Sequence, residues 1–128
     1  MLVIALGGGG IPVVRENGSL RGIEAVIDKD RASALLATCM NVHQLIISTD
    51  TDRIYLDFKK PHQRALEYVT AAELRGYYEA GHFPPGNMGP KVEAALSFVE
   101  HGGREAIITR YEHLVDAVHD RAGTHILP

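Results

Sequence analysis

The chain has 128 residues, 45% hydrophobic and 23% charged, which suits one compact domain with a buried core. Its formal net charge of −3 supplies no basic field for nucleic acid, and no apolar run reaches the roughly 20 residues that span a bilayer. A single cysteine, Cys39, excludes an internal disulfide and suits a reducing cytoplasm. The opening stretch carries neither a basic region nor a small-residue cleavage site, so it does not read as a signal peptide.

Leu2 to Leu6 is a continuous apolar run stopped by glycines, the pattern of a strand buried on both faces. Asn17-Gly18-Ser19 predicts a hairpin tip between Val13-Val14 and the segment near Ile23. Asp28 is an N-cap for a helix whose apolar face holds Ala32, Leu35, Leu36 and Cys39, with Cys39 as a core residue. Gln44 to Ser48 reads as a buried strand, and Ile54 to Leu56 as a short extended piece after a polar turn. Thr70 and Glu73 form a capping box for a helix through Tyr78. Gly81 to Pro90 is irregular, and a helix follows from Lys91 to about His101 with Val92, Ala95, Leu96 and Val99 inward. Gly102-Gly103 stops it. Glu105 to Thr109 is a third buried strand, Glu112 to His119 a closing helix, and His125 to Leu127 a last edge strand. Alternation of strand and helix argues for an α/β layered sheet, mostly parallel.

Four segments carry possible chemistry. Gly7 to Gly10, including Gly8 and Gly9, follows a strand and lets backbone amides approach an anion, or serves as a flexible turn. Lys29 sits unfavourably in the first turn of a helix, where Asp28, Asp30 or an anionic ligand compensates for it. Thr49-Asp50-Thr51-Asp52 lies past the carboxyl end of a strand, where open α/β sheets bind ligands. Tyr55 offers a ring to a base, and the aspartates can accept from ribose hydroxyls or hold a metal-bound water. The same residues also read as an Asx-rich turn capped by its own side chains. Gly86 to Lys91, with Met88 and Gly89, delivers one lysine from a glycine loop, over a phosphate or merely at the surface. It is not a Walker A loop, because Pro90 stands where glycine is needed and no Ser or Thr follows the lysine. The seven histidines show no ligand spacing, so no protein metal site is expected, and no Ser–His–Asp arrangement is evident.

The order of these segments is more specific than any one of them. Gly-Gly-Gly-Gly-Ile-Pro-Val at 7–13, Glu-Ala-Val-Ile-Asp-Lys-Asp at 24–30 and Ala-Leu-Leu-Ala at 34–37 closely resemble carbamate kinase, an enzyme of the amino-acid-kinase fold. So do Thr-Asp-Thr-Asp with Tyr55, the Gly-His-Phe-Pro-Pro-Gly-Asn-Met-Gly-Pro-Lys-Val-Glu-Ala-Ala run at 81–95, and Ala-Ile-Ile-Thr from Ala106. The resemblance implies a three-layer α/β sandwich and a reversible transfer in which ATP plus carbamate gives ADP plus carbamoyl phosphate. It implies that Lys29 and Lys91 lie along the phosphoryl path and that Asp30 orders them. Thr49, Asp50, Asp52, Tyr55, Met88 and Gly89 match positions around the nucleotide, and Gly8 and Gly9 a loop near the phosphates. Mg²⁺ is then held mainly by the phosphates.

By the same resemblance, residues 1–128 form a single nucleotide-binding domain like the C-terminal half of carbamate kinase, and 1–27 the end of its N-terminal domain. Carbamate kinases are roughly twice to two and a half times this length. Their first half supplies a Gly-Gly-Asn loop, most of the carbamate pocket and another catalytic lysine. The expected partners are therefore a complementing N-terminal chain or further copies of this one, in the cytoplasm. The alternative is a non-catalytic subunit for ATP or ADP binding or for assembly.

Overall fold

Asn17 and Gly18 adopt φ of 49° and 82°. Two consecutive positive values are what a two-residue turn needs to match the twist of its flanking strands. The hairpin so formed joins β1 (Val13–Glu16) to β2 (Ser19–Gly22), with Val13 opposite Gly22 and Glu16 opposite Ser19. The computed structural model describes residues 3–128. The predicted first strand falls partly on Leu2, which lies outside them. Val3 to Leu6 form no strand, and Ile4 is 95% exposed. Among the described residues no strand pairs with this segment, so its backbone has no ladder to join.

The central sheet has the order β3 (Gln44–Thr49), β7 (Glu105–Arg110), β8 (Thr124–Leu127), β6 (Tyr68–Thr70). Two of its three pairings are parallel, β3 with β7 and β6 with β8, whereas β7 and β8 run antiparallel. The predicted last strand is therefore interior, not an edge. β6, absent from the sequence-based expectation, takes the edge. Three residues are too few to show a period. A ribbon of β4 (Ile54–Leu56) and β5 (Arg64–Leu66) stands apart. The Thr124 hydroxyl ties it to β8, accepting from the Ile54 amide at 2.8 Å and donating to the Leu66 carbonyl.

Helices cover both faces. On one, α2 (Ala71–Glu79) and α3 (Met88–Glu100) bury Leu74, Val92, Leu96 and Phe98 against Ala106, Ile108 and Ile126. Successive strand residues point to opposite faces, so Ile107 is buried on the other side, where α4 (Leu114–Val118) packs against β7 and buries Ala117. α4 is shorter than expected, because Tyr111–His113 form a 3₁₀ turn before it. α3 begins at Met88, three residues earlier than expected. Pro90 is tolerated there because first-turn amides have no intrahelical acceptor. No helix among the described residues is long and apolar enough to cross a membrane.

α1 (Lys29–Cys39) lies against α3 and turns the unexpected face inward. Ala34, Ala37 and Asp30 are buried, whereas Leu35, Leu36 and Cys39 are exposed. Small residues on α1 and on α3, at Ala94 and Ala95, let the two helices approach closely. Bulk alone pointed to the opposite stripe.

Among the described residues the four α-helices end the same way. In α3 the Gly103 amide donates to the Phe98 carbonyl and Gly102 to Val99, a Schellman motif. Gly81, Asn41 and Asp120 hold the equivalent left-handed position after α2, α1 and α4. At the start of α2 the capping box is complete: Thr70 Oγ1 accepts from the Glu73 amide at 3.2 Å, and Glu73 Oε2 accepts from the Thr70 amide at 3.0 Å. Thr70→Ala is expected to lower stability by about 1 kcal/mol, read as a shift in the urea midpoint at unchanged slope. The Thr70 amide and hydroxyl hold the Glu73 carboxyl below its usual range. A depressed carboxyl favours the fold above its unfolded pKa, so this cap weakens as pH falls below about 4.

Candidate active site

α1 opens at Lys29 because Asp28 caps it, accepting from the Arg31 amide at 2.9 Å. This places Asp30 one residue inside the first turn, facing α3. Lys91 projects toward it from the first turns of α3. Lys91 Nζ donates to Asp30 Oδ2 at 3.0 Å, and Lys29 Nζ lies 3.8 Å from the same oxygen. Asp30 is 6% exposed and Lys91 7%, whereas half of the Lys29 side chain is open to solvent. Two ammonium groups therefore share one carboxylate, one buried and hydrogen-bonded to it and one half exposed. The three groups together carry one positive charge in excess, which suits an anion.

The geometry around the cluster is reinforced. Arg31 Nη2 donates to both Glu93 oxygens, at 3.0 and 2.8 Å, a second tie between α1 and α3 that the sequence did not advertise. Gly89, two residues before Lys91, donates to the Pro84 carbonyl, and a Cβ there would stand 2.9 Å from that oxygen. Glycine lets the 84–87 loop close on the helix. Met88 packs partly buried against the core.

The Thr49–Tyr55 group assembles at the carboxyl end of β3. Arg110, opposite Thr49 in the parallel register, clamps the Asp50 carbonyl with Nε at 3.0 Å and Nη2 at 2.8 Å. Thr49 Oγ1 donates to Asp50 Oδ1 at 3.1 Å, and the Tyr55 hydroxyl to Asp52 Oδ1 at 2.9 Å. Thr51 Oγ1 is buried without a hydrogen-bond partner among the described residues. Burial, and then the bond to Asp52, push the Tyr55 phenol above its usual range. In an ultraviolet tyrosinate titration Tyr55 is expected to ionise above the ordinary tyrosine range, and Asp52→Asn to bring it down. Gly8 and Gly9 are exposed, with φ of 122° and 76°, and beyond their chain neighbours no atom lies within 4 Å of where a Cβ would stand on either. The structure does not bring them to the lysines. Arg31, Glu93 and Arg110 were not anticipated, because their partners are about 60 residues away in sequence.

The model of the amino acid kinase family matches residues 3–110, most of the chain. The chain belongs to the amino acid kinase family. Within that family it is similar to carbamate kinases. The carbamate kinase of Thermoplasma volcanium is 48% identical over 125 residues, covering 98% of this chain and 41% of its own length. That of Pyrococcus furiosus is 47% identical, covering 100% and 41%. The chain also superposes on the carbamate kinase of Giardia lamblia solved with AMP-PNP, with TM-score 0.89 and 44% identity over 93% of this chain and 38% of that one. It thus spans about two fifths of the length of these relatives. The three-layer α/β fold expected from the sequence agrees with these neighbours.

Proposed function

We propose that this chain forms the nucleotide-binding part of a carbamate kinase-type phosphotransferase, moving a phosphoryl group reversibly between ATP and carbamate. The convergence of Lys29 and Lys91 on Asp30 carries this reading. Phosphoryl transfer asks little covalent chemistry of a protein and depends on alignment and charge neutralisation. Lys91, buried and held by Asp30, supplies a fixed cation. Lys29, half exposed, can follow the migrating group. Thr49, Asp50, Asp52, Tyr55, Met88 and Gly89 are assigned to the nucleotide, and Gly8 and Gly9 to the phosphate side. The partnerless Thr51 hydroxyl fits a polar ligand group at that turn. Mg²⁺, which offsets phosphate charge when bound, is assigned to the phosphates themselves, because Asp30 already answers two ammonium groups.

On this reading the purified chain binds ADP in the micromolar range but makes no ATP from ADP and carbamoyl phosphate. Turnover requires the polypeptide matching the remainder of its relatives. Calorimetry with ADP, then a luciferase assay with and without that polypeptide, test both halves. Absence of ADP binding overturns the nucleotide site, and turnover by the chain alone overturns the need for a complement. A second reading, a non-catalytic ATP- or ADP-binding subunit of the cytoplasm, draws on the exposed apolar side chains of Val3, Ile4, Ile11, Val26 and Ile27, which call for a packing partner. ADP binding with no turnover under complementation favours it.

A further inference from the structure

At the end of β7 remote from Arg110, three side chains unused by the proposed chemistry converge. Glu105 opens β7, His125 sits in β8 opposite Ile107, and Asp120 holds the left-handed position after α4 at φ 58°. One potential ligand atom from each lies within 4.8 Å of the other two. His125 is 2% exposed. Its Nε2 is 3.1 Å from the Ala122 carbonyl oxygen, which can only accept, so Nε2 carries a hydrogen. Its Nδ1 faces Glu105 Oε1 at 2.7 Å and Asp120 Oδ1 at 3.7 Å. Three Lewis-basic atoms thus point at one another and need a cation between them.

We propose that Glu105, Asp120 and His125 bind a divalent transition-metal ion of the zinc class, through His125 Nδ1 and one oxygen of each carboxylate. In the metal-free chain a proton shared between Nδ1 and Oε1 takes that place, and the ion displaces it. One imidazole and two carboxylates suit zinc, and three protein ligands leave a fourth position for water. The outer partners that fix such ligands are already present. The Ala122 carbonyl orients the imidazole, and Gln44 Nε2 donates to Glu105 Oε2 at 2.6 Å. The side chain of Asp120 is 69% exposed and provides the way in. Tetrahedral bonds near 2.0 Å set ligand atoms roughly 3.3 Å apart. Binding therefore draws Asp120 inward and lets Glu105 back off slightly, clipping the end of α4 to β7 and β8.

The test titrates the chelator-stripped chain with Zn²⁺ by calorimetry and with Co²⁺ by visible absorption, at neutral pH. The expected result is one equivalent bound with low-micromolar or tighter Kd, visible Co²⁺ bands, and proton release seen by comparing buffers. Glu105→Gln and Asp120→Asn, which keep size and hydrogen bonding, should each weaken binding at least ~10-fold, and Gln44→Ala about 10-fold. Absence of saturable binding below ~100 µM overturns the proposal. Binding that Glu105→Gln and Asp120→Asn leave unchanged does so too, since the ions then sit on surface histidines and the cluster holds only its proton.

Discussion

Replacing Lys91 by alanine is expected to cost about 3–5 kcal/mol of stability and to lower phosphoryl transfer in the complemented enzyme by roughly 10²–10³-fold. The stability loss arises from Asp30. Its carboxylate is buried, and without Lys91 it retains only Lys29, 3.8 Å away and half exposed. Urea denaturation of the chain alone reads this first effect, and the luciferase assay of the complemented enzyme reads the second. The two separate in a double variant. Lys91→Met with Asp30→Leu removes both charges and fills similar volume, so the urea midpoint returns to the wild-type value or higher while transfer stays lost. Recovery of transfer in that variant would exclude both groups from the chemistry. Asp30→Asn is the intermediate case: it keeps an acceptor for Lys91 but gives up the charge that holds the two ammonium groups together.

The second large effect lies in the core. Phe98→Ala is expected to destabilise by about 3–5 kcal/mol, through lost burial and the cavity left between α3 and the sheet. The ring is 1% exposed and fits against Gly103 so closely that a Cβ on Gly103 would intrude into it. Gly102 and Gly103 thus serve separate ends. Gly102, at φ 99°, supplies the left-handed turn, and Gly103 leaves room for the ring. Gly103→Ala alone should cost about 1–3 kcal/mol by overpacking. Combined with Phe98→Leu it should cost less than the sum of the two single changes, because the smaller side chain makes room for the new methyl group. Thermal and urea unfolding of the four proteins measure that coupling. Strict additivity would show that the glycine and the ring do not share the space.

Features made by hydrogen bonds across five residues or fewer were legible in the sequence. The Asn17-Gly18 turn, the Asp28 cap, the Thr70–Glu73 box and the glycine stop after α3 all depend on side chains and backbone within one turn. The lysines, Asp30 and their meeting were implied by the resemblance to carbamate kinases, but no local pattern in the residues themselves records that contact. Lys91 and Asp30 are 61 residues apart, and only the close packing of two alanine-lined helices brings them within 3.0 Å. The reading of α1 failed for the same reason. Leu35, Leu36 and Cys39 are the bulkier stripe, but Asp30, Ala34 and Ala37 face α3 because only small residues admit it and only Asp30 can meet Lys91.

The caps, the turns, the alternation of strand and helix and the family likeness could be read from the residue order alone, because each is written in neighbouring residues. Folding in three dimensions set which helix face is inside, where β8 lies, and which distant charges meet beyond those the family likeness implied: Arg31 with Glu93, Glu105 with His125. Those outcomes depend on the shape available after packing, which no local pattern records.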